Sequence, residues 1–271
     1  MKLFIAIDLE GITGVVSERE TDREGPAAKT AREHMRADLD AVLEGCFAAG
    51  ADEVVVCDAH DVGRNLDAAG LPPHVVLVGG SPTPYSMLQG IGRGYDGALF
   101  VGYHARAGTA AAVLEHTWSY KVFAAALGTL EVGEFGLGAL LAGYFGVPAV
   151  YLSGDDKTAA EAEELVPGIV TTVVKTGITR LAAGLFPPDD MRPRLRDDVE
   201  RALRAADKPA PLAWNGDPLR LTFTRVEYCD LAAGCPGVRR LDGRTLEISG
   251  ADFEEVFRGF LACVRLSELE D

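Results

Sequence analysis

A chain of 271 residues, 48% hydrophobic and 25% charged, has room for one large α/β domain or two smaller ones with a full core, and is neither disordered nor fibrous in composition. Its net charge of −15 argues against nucleic-acid phosphates or an anionic membrane as the main partner. The opening "MKLFIAID" is too short an apolar stretch for a signal peptide, and Asp8 and Glu10 interrupt where a cleavage region would follow. No later run is long enough to cross a bilayer. Cys46, Cys57, Cys229, Cys235 and Cys263 are odd in number and lack a C-x-x-C pair, which fits reduced, mostly buried thiols and a cytoplasmic location.

Taken in order, "KLFIAID" reads as a strand, and residues 27–49 as an amphipathic helix with Ala31, Met35, Leu39 and Leu43 along one face, stopping at Gly50. "DEVVVCDAH" and "HVVLVGG" are the next strands, followed by a short helix around "YSMLQGI" and a fourth strand, "GALFVGYHA". "KVFAAALGTLEVG" reads as a hairpin turning near Gly128, "FGLGALLAGYFG" as a helix and "PAVYLSGDD" as a fifth buried strand. The remainder is mixed. It holds a helix over "TAAEAEELV", the strand "IVTTVVKTG", a charged helix through "DDMRPRLRDDVERALRAADK", strands near "LRLTFTRV" and "TLEIS", and a helix from Phe253. Near-continuous apolar strands between helices predict an α/β fold with a largely parallel sheet covered on both faces and a mixed α+β C-terminal part. The expected division is a metal-binding core over 1–155 and a mixed part over 156–271, either separable or within one compact unit.

The polar residues gather at one edge of that sheet. Asp8 and Glu10 end the first strand, Asp58 and His60 follow the second, and His104 and Arg106 follow the fourth. Open α/β sheets bind ligands outside the carboxyl ends of their strands. Carboxylates with imidazoles form the ligand set of zinc and similar divalent ions. Carboxylates crowded together repel, and a divalent cation removes that conflict. With two such ions Asp8 is in position to bridge, and Glu134 in "EVGEFG" supplies a further acid. Singly, each residue has a plainer reading: Asp8 a turn or cap, His60 a loop histidine, His104 a core-edge one, Glu134 a helix start. His116 in "LEHTWS" is equally a base or nucleophile beside a metal site and a ring packed on Trp118. His34 reads as solvated, and His74 as the opening of a strand. "GRGYDG" matches G-x-G-x-x-G but precedes a strand, the wrong context for a dinucleotide site.

In this order and at these separations, "DLEG", "DAH", "GYHARAGT", "EHTWS" and "VGEFGLGA" closely resemble the bacterial D-aminopeptidase family of binuclear zinc peptidases, of the dipeptide-transport operon type. "SGDDK" and "EAEELVPG" extend the likeness, which thins toward the C-terminus. The resemblance implies two zinc ions held by Asp8, Glu10, His60, His104 and Glu134 with Asp8 bridging, and His116 as the catalytic residue. It also implies a self-compartmentalising homodecamer of two stacked pentameric rings. The expected function is removal of N-terminal D-residues from short peptides such as D-Ala-D-Ala. The alternatives are a binuclear-metal hydrolase of another amide or phosphoester, and a non-catalytic, metal-stabilised peptide-binding ring.

Overall fold

The N-terminal apolar run becomes β1 (Lys2–Ile7), a central strand in a computed structural model that describes residues 1–23 and 25–269. It is followed by a short α1 (Glu18–Thr21), α2 (Ala28–Ala48), β2 (Glu53–Asp58), β3 (Val75–Val78), a 3-10 turn at Ser86–Leu88, and β4 (Gly97–Tyr103). Next come β5 (Val122–Leu127), β6 (Leu130–Glu131), α3 (Glu134–Tyr144), β7 (Ala149–Asp155) and α4 (Asp156–Leu165). The last part contributes β8 (Val170–Thr179), β9 (Ala182–Leu185), α5 (Pro188–Arg204), β10 (Leu219–Phe223), α6 (Val226–Ala232), β11 (Val238–Arg240), β12 (Thr245–Ile248) and α7 (Phe253–Ser267).

Among the described residues the first sheet runs β3-β2-β1-β4-β7-β8-β9, parallel except for β9. Leu3 to Ile7 are fully buried because β1 is covered on both faces. Phe4 and Ala6 join one core with Phe135, Leu141, Phe257 and Phe260 from α3 and α7. Leu3, Ile5 and Ile7 join the other with Met35, Leu39, Val42, Leu195 and Val199 from α2 and α5. The expected parallel sheet flanked by helices is the fold that forms. The second sheet, β11-β12-β10-β5-β6, is antiparallel and lies in the α3/α7 core through Leu221 and Leu246. Its strands come from both sides of β7–β9, and residue 155 marks the junction of β7 and α4.

Four short elements lie outside the sequence reading: α1, β9, α6 and β11. β9 reads "AAGL", too small and too brief to show a period, and α6 opens at Val226, inside the stretch expected to continue as strand. The strand stops instead at Phe223. "GRGYDG" ends where β4 begins, as its context indicated.

The sheet order places β2 on one side of β1 and β4 on the other, so a crevice opens at the carboxyl ends of β1 and β4. Two glycines let the chain close over that end. Gly11 N–H donates to Gly102 O at 2.8 Å, and a Cβ on Gly11 would sit 2.0 Å from Tyr103 O. Gly102 has φ +67°, and a Cβ there would meet Asp8 O at 2.4 Å. The loop after β1 therefore lies directly on the end of β4. Gly102→Ala is expected to cost about 3 kcal/mol or more, from left-handed strain plus overpacking, read by urea unfolding.

Candidate metal centre

Asp8, Glu10, His60, His104 and Glu134 come from the ends of β1, β2 and β4 and the first turn of α3, and all are 9% exposed or less. Asp8 is the hinge. Its Oδ1 lies 3.2 Å from His60 Nδ1, which is 3.0 Å from Glu10 Oε2. Its Oδ2 lies 3.4 Å from His104 Nε2, which is 3.3 Å from Glu134 Oε2. Two carboxylate–imidazole sets thus meet at the two oxygens of one aspartate. His116 Nε2 lies 3.6 Å from Glu134 Oε1, with His104, His116 and Glu134 offering donor atoms within 4.8 Å of one another.

Each imidazole is aimed by a backbone carbonyl. Thr21 O is 3.0 Å from His60 Nε2, Ala105 O 3.1 Å from His104 Nδ1, and Leu114 O 2.9 Å from His116 Nδ1. A carbonyl only accepts, so each of these nitrogens carries the proton and the neutral ring turns its lone pair toward the carboxylates. His104 Nε2 is buried and makes no hydrogen bond in spite of its two nearby oxygens. Lone pairs facing carboxylates need either a proton or a cation between them.

The electrostatics state the same conflict. Burial pushes the Asp8 carboxyl up to about 7, with Glu10 adding repulsion. Burial also pulls Glu10 upward, but the charge and hydrogen bond of His60, with His116 and His104, hold it well below the usual range. Burial opposes charge on His60, yet Glu10 and Asp8 raise it well above its ordinary value. His104 is likewise lifted to about 10 by Glu134, Asp8 and Glu10 against the pull of burial. His116 goes the other way: burial and the neighbouring His104 lower it. The two rings stack 3.9 Å apart at 13°, so charge on one opposes charge on the other.

The donor set fits zinc. Ligand atoms of a tetrahedral zinc with bonds of about 2.0–2.1 Å stand about 3.3 Å apart. The four nitrogen–oxygen separations here run from 3.0 to 3.4 Å. Outer contacts of the kind that orient metal ligands are also in place. Trp118 N–H donates to Glu134 Oε1 at 2.5 Å, while the Trp118 ring stands edge-on to Phe257 and Phe260 of α7.

Other sequence candidates lie elsewhere. Asp58 accepts from Asn65 N, Leu66 N and Asn65 Nδ2, and Asn65 Nδ2 also donates to His60 O, so Asp58 folds the turn that carries His60. Arg106 pairs with Glu131 at 2.9 Å. His34 is half-buried, with Arg192 Nη2 at 3.4 Å from its Nδ1. His74 is exposed, directly before β3. Sequence reading passed over Lys175, whose signal was a lone lysine in the apolar run "IVTTVVK". It is fully buried, which pushes its ammonium down to about 8.

A doubly covered parallel sheet with acids and imidazoles at its switch point defines a metal-dependent hydrolase. The chain belongs to the D-aminopeptidase family, whose model it matches over residues 1–262. It is 33% identical over 269 residues to the D-aminopeptidase of Bacillus subtilis (strain 168), covering 98% of each chain. The solved structure of the zinc-dependent D-aminopeptidase DppA from Bacillus subtilis, described as a self-compartmentalizing protease, superposes with a TM-score of 0.96. Identity to it is 32%, covering 100% of this chain and 99% of that one.

The contrast between two strand-end acids is testable. Asp8→Asn is expected to abolish tight zinc uptake, measured by metal analysis after dialysis. Asp58→Asn is expected to keep zinc while costing about 1–3 kcal/mol in urea unfolding, because part-buried donors lose one of their two acceptor oxygens to an amide that cannot accept.

Proposed function

We propose that this protein is a zinc-dependent aminopeptidase that releases N-terminal D-residues from short peptides such as D-Ala-D-Ala. The observation that carries the reading is the pair of carboxylate–imidazole sets sharing Asp8, of which Asp8, Glu10, His60 and Glu134 line a cavity of about 470 Å³ together with His116 and Tyr120. Glu10 and His60 would hold one zinc ion, His104 and Glu134 a second, and Asp8 is the residue both would share. When bound, zinc supplies Lewis-acid polarisation of the scissile carbonyl.

The chain's own residues supply the rest. His116 keeps its proton on Nδ1, against Leu114 O, so Nε2 holds the free lone pair. Burial and the stacked His104 keep that ring neutral. Nε2 therefore takes the proton of an attacking water and returns it to the departing amine, or bonds to the carbonyl carbon as the C–N bond breaks, the amine taking its proton from solvent water and a further water hydrolysing the acyl-imidazole. Burst kinetics separate these routes. Glu134, held by Trp118 N–H, links the His116 loop to the metal ligands.

The assembly is read as a homodecamer. A self-compartmentalizing relative supports it, as do exposed apolar side chains at Phe123, Ile178 and Leu181. Mass photometry is expected to find a particle ten times the 28.7 kDa chain. The five cysteines are free thiols, which suits the cytoplasm, and no described helix is long and apolar enough to cross a membrane.

The test of the activity compares D-Ala-D-Ala with L-Ala-L-Ala, with and without a chelator. Hydrolysis is expected only of the D-peptide and only without chelator; chelator-resistant turnover or an L preference defeats the reading. His116→Ala is expected to lower kcat by about 10²-fold or more while zinc content stays unchanged. Near-normal turnover in that variant would make His116 structural.

A further inference from the structure

The loop from Glu10 to Val15 wraps round one buried cation. Lys175 projects from β8, and its Nζ donates to Glu10 O at 2.5 Å, Ile12 O at 2.9 Å and Val15 O at 2.5 Å. An ammonium group has three N–H donors and no lone pair, so all its capacity is spent on these carbonyls. It is fully buried, which leaves it nothing to offer a substrate. Three carbonyls turned toward one buried point cost free energy unless donors meet them. Asp155, Glu10 and Asp38 supply the opposing charge that makes a cation tolerable there.

We propose that Lys175 is a positioning residue for the metal centre, fixing the Glu10 backbone so that its carboxylate stands as a ligand beside His60. This rests on the zinc reading given above. The loop has other ties: Gly11 N–H, in the same peptide unit as Glu10 O, donates to Gly102 O at 2.8 Å, Ile12 N–H to Leu9 O at 3.2 Å and Thr13 N–H to Asp38 Oδ2 at 2.9 Å. Lys175 adds the side-chain donor on Glu10 O and joins it to Ile12 O and Val15 O, so it sets where that end of the loop sits. Asp8 is secured separately, its N–H donating to Val101 O at 2.8 Å and its Oδ1 accepting from Leu9 N–H at 2.8 Å. His60, His104 and Glu134 are aimed by Thr21, Ala105 and Trp118. Loss of the ammonium therefore falls on one ligand of five, and on one zinc of two.

That asymmetry separates positioning from general stability. Zinc is titrated into metal-free protein against a chromophoric chelator, for the wild type, Lys175→Met, Lys175→Gln and Leu246→Ala. Leu246→Ala removes buried side-chain volume from β12 in the second sheet and serves as the destabilised control. The wild type is expected to take zinc in two steps. Lys175→Met is expected to weaken one step by about 10- to 100-fold and leave the other unchanged. Lys175→Gln, which keeps two donors on a shorter arm, is expected to weaken the same step less, and it carries the test if the Met variant fails to fold. Leu246→Ala is expected to change neither step. Both steps unchanged in the Lys175 variants, or both weakened equally, overturns the positioning role alone. A wild type that takes up no zinc overturns the proposed function as well.

Discussion

Three carboxylates held within hydrogen-bonding distance of two imidazoles, all largely buried, form the constraint on which the rest of this structure depends. In an apolar setting such a group folds only if positive charge is supplied among the oxygens. Protons on His60 and His104 meet that need in part, and a bound divalent cation would meet it more fully, taking the place of those protons. Asp8 gives the arrangement its symmetry, since each of its oxygens faces a different imidazole and a different acid. The sheet order explains how such residues are gathered. β1 and β4 are paired neighbours at the switch point, and the close approach of Gly11 to Gly102 brings the loop after β1 onto the end of β4.

Around this centre the fold arranges supports of two kinds. Backbone carbonyls accept from one nitrogen of each histidine, so that the other nitrogen is the one turned toward the carboxylates. Charged side chains fix the loops: Lys175 fastens the segment after β1, Asp58 the turn with His60, and Asp155 takes Val113 N–H at 2.6 Å on the way to His116. α7 carries weight far from its own sequence position, because Phe257 and Phe260 seat Trp118, whose N–H holds Glu134.

Much of this was legible from residues alone. Buried strands announce themselves by unbroken apolar runs, and acids and histidines at their ends have few other uses in such numbers. Asp8, Glu10, His60, His104 and Glu134 could thus be grouped before any coordinates, although the two-set geometry at Asp8 could not. Strand order is a property of pairing, not of composition, so the switch point at β1 and β4 was hidden. Asp58 misled in part, since at the end of a strand an acid that folds a turn looks like one that waits for a metal. Lys175 was passed over because its partners are main-chain oxygens, which leave no mark on the side-chain pattern. Short elements such as β9 and α6 owe their shape to neighbours and carry too few residues to show a period.

The segment that carries His116 has Ala111, Leu114 and Trp118 at φ of 58°, 53° and 64°, a left-handed setting that ordinary side chains rarely adopt. Such a backbone keeps its course only while tertiary contacts insist on it, so it behaves as a pre-bent spring clip. An engineer seeking a different peptide preference therefore meets two classes of position in one stretch of chain. Residues at the bends set the shape of the clip, and exchanging them risks releasing His116. Ser119 and Tyr120 line the cavity with ordinary backbone angles, so altered recognition is best sought there, where a new side chain changes the wall without unbending the spring.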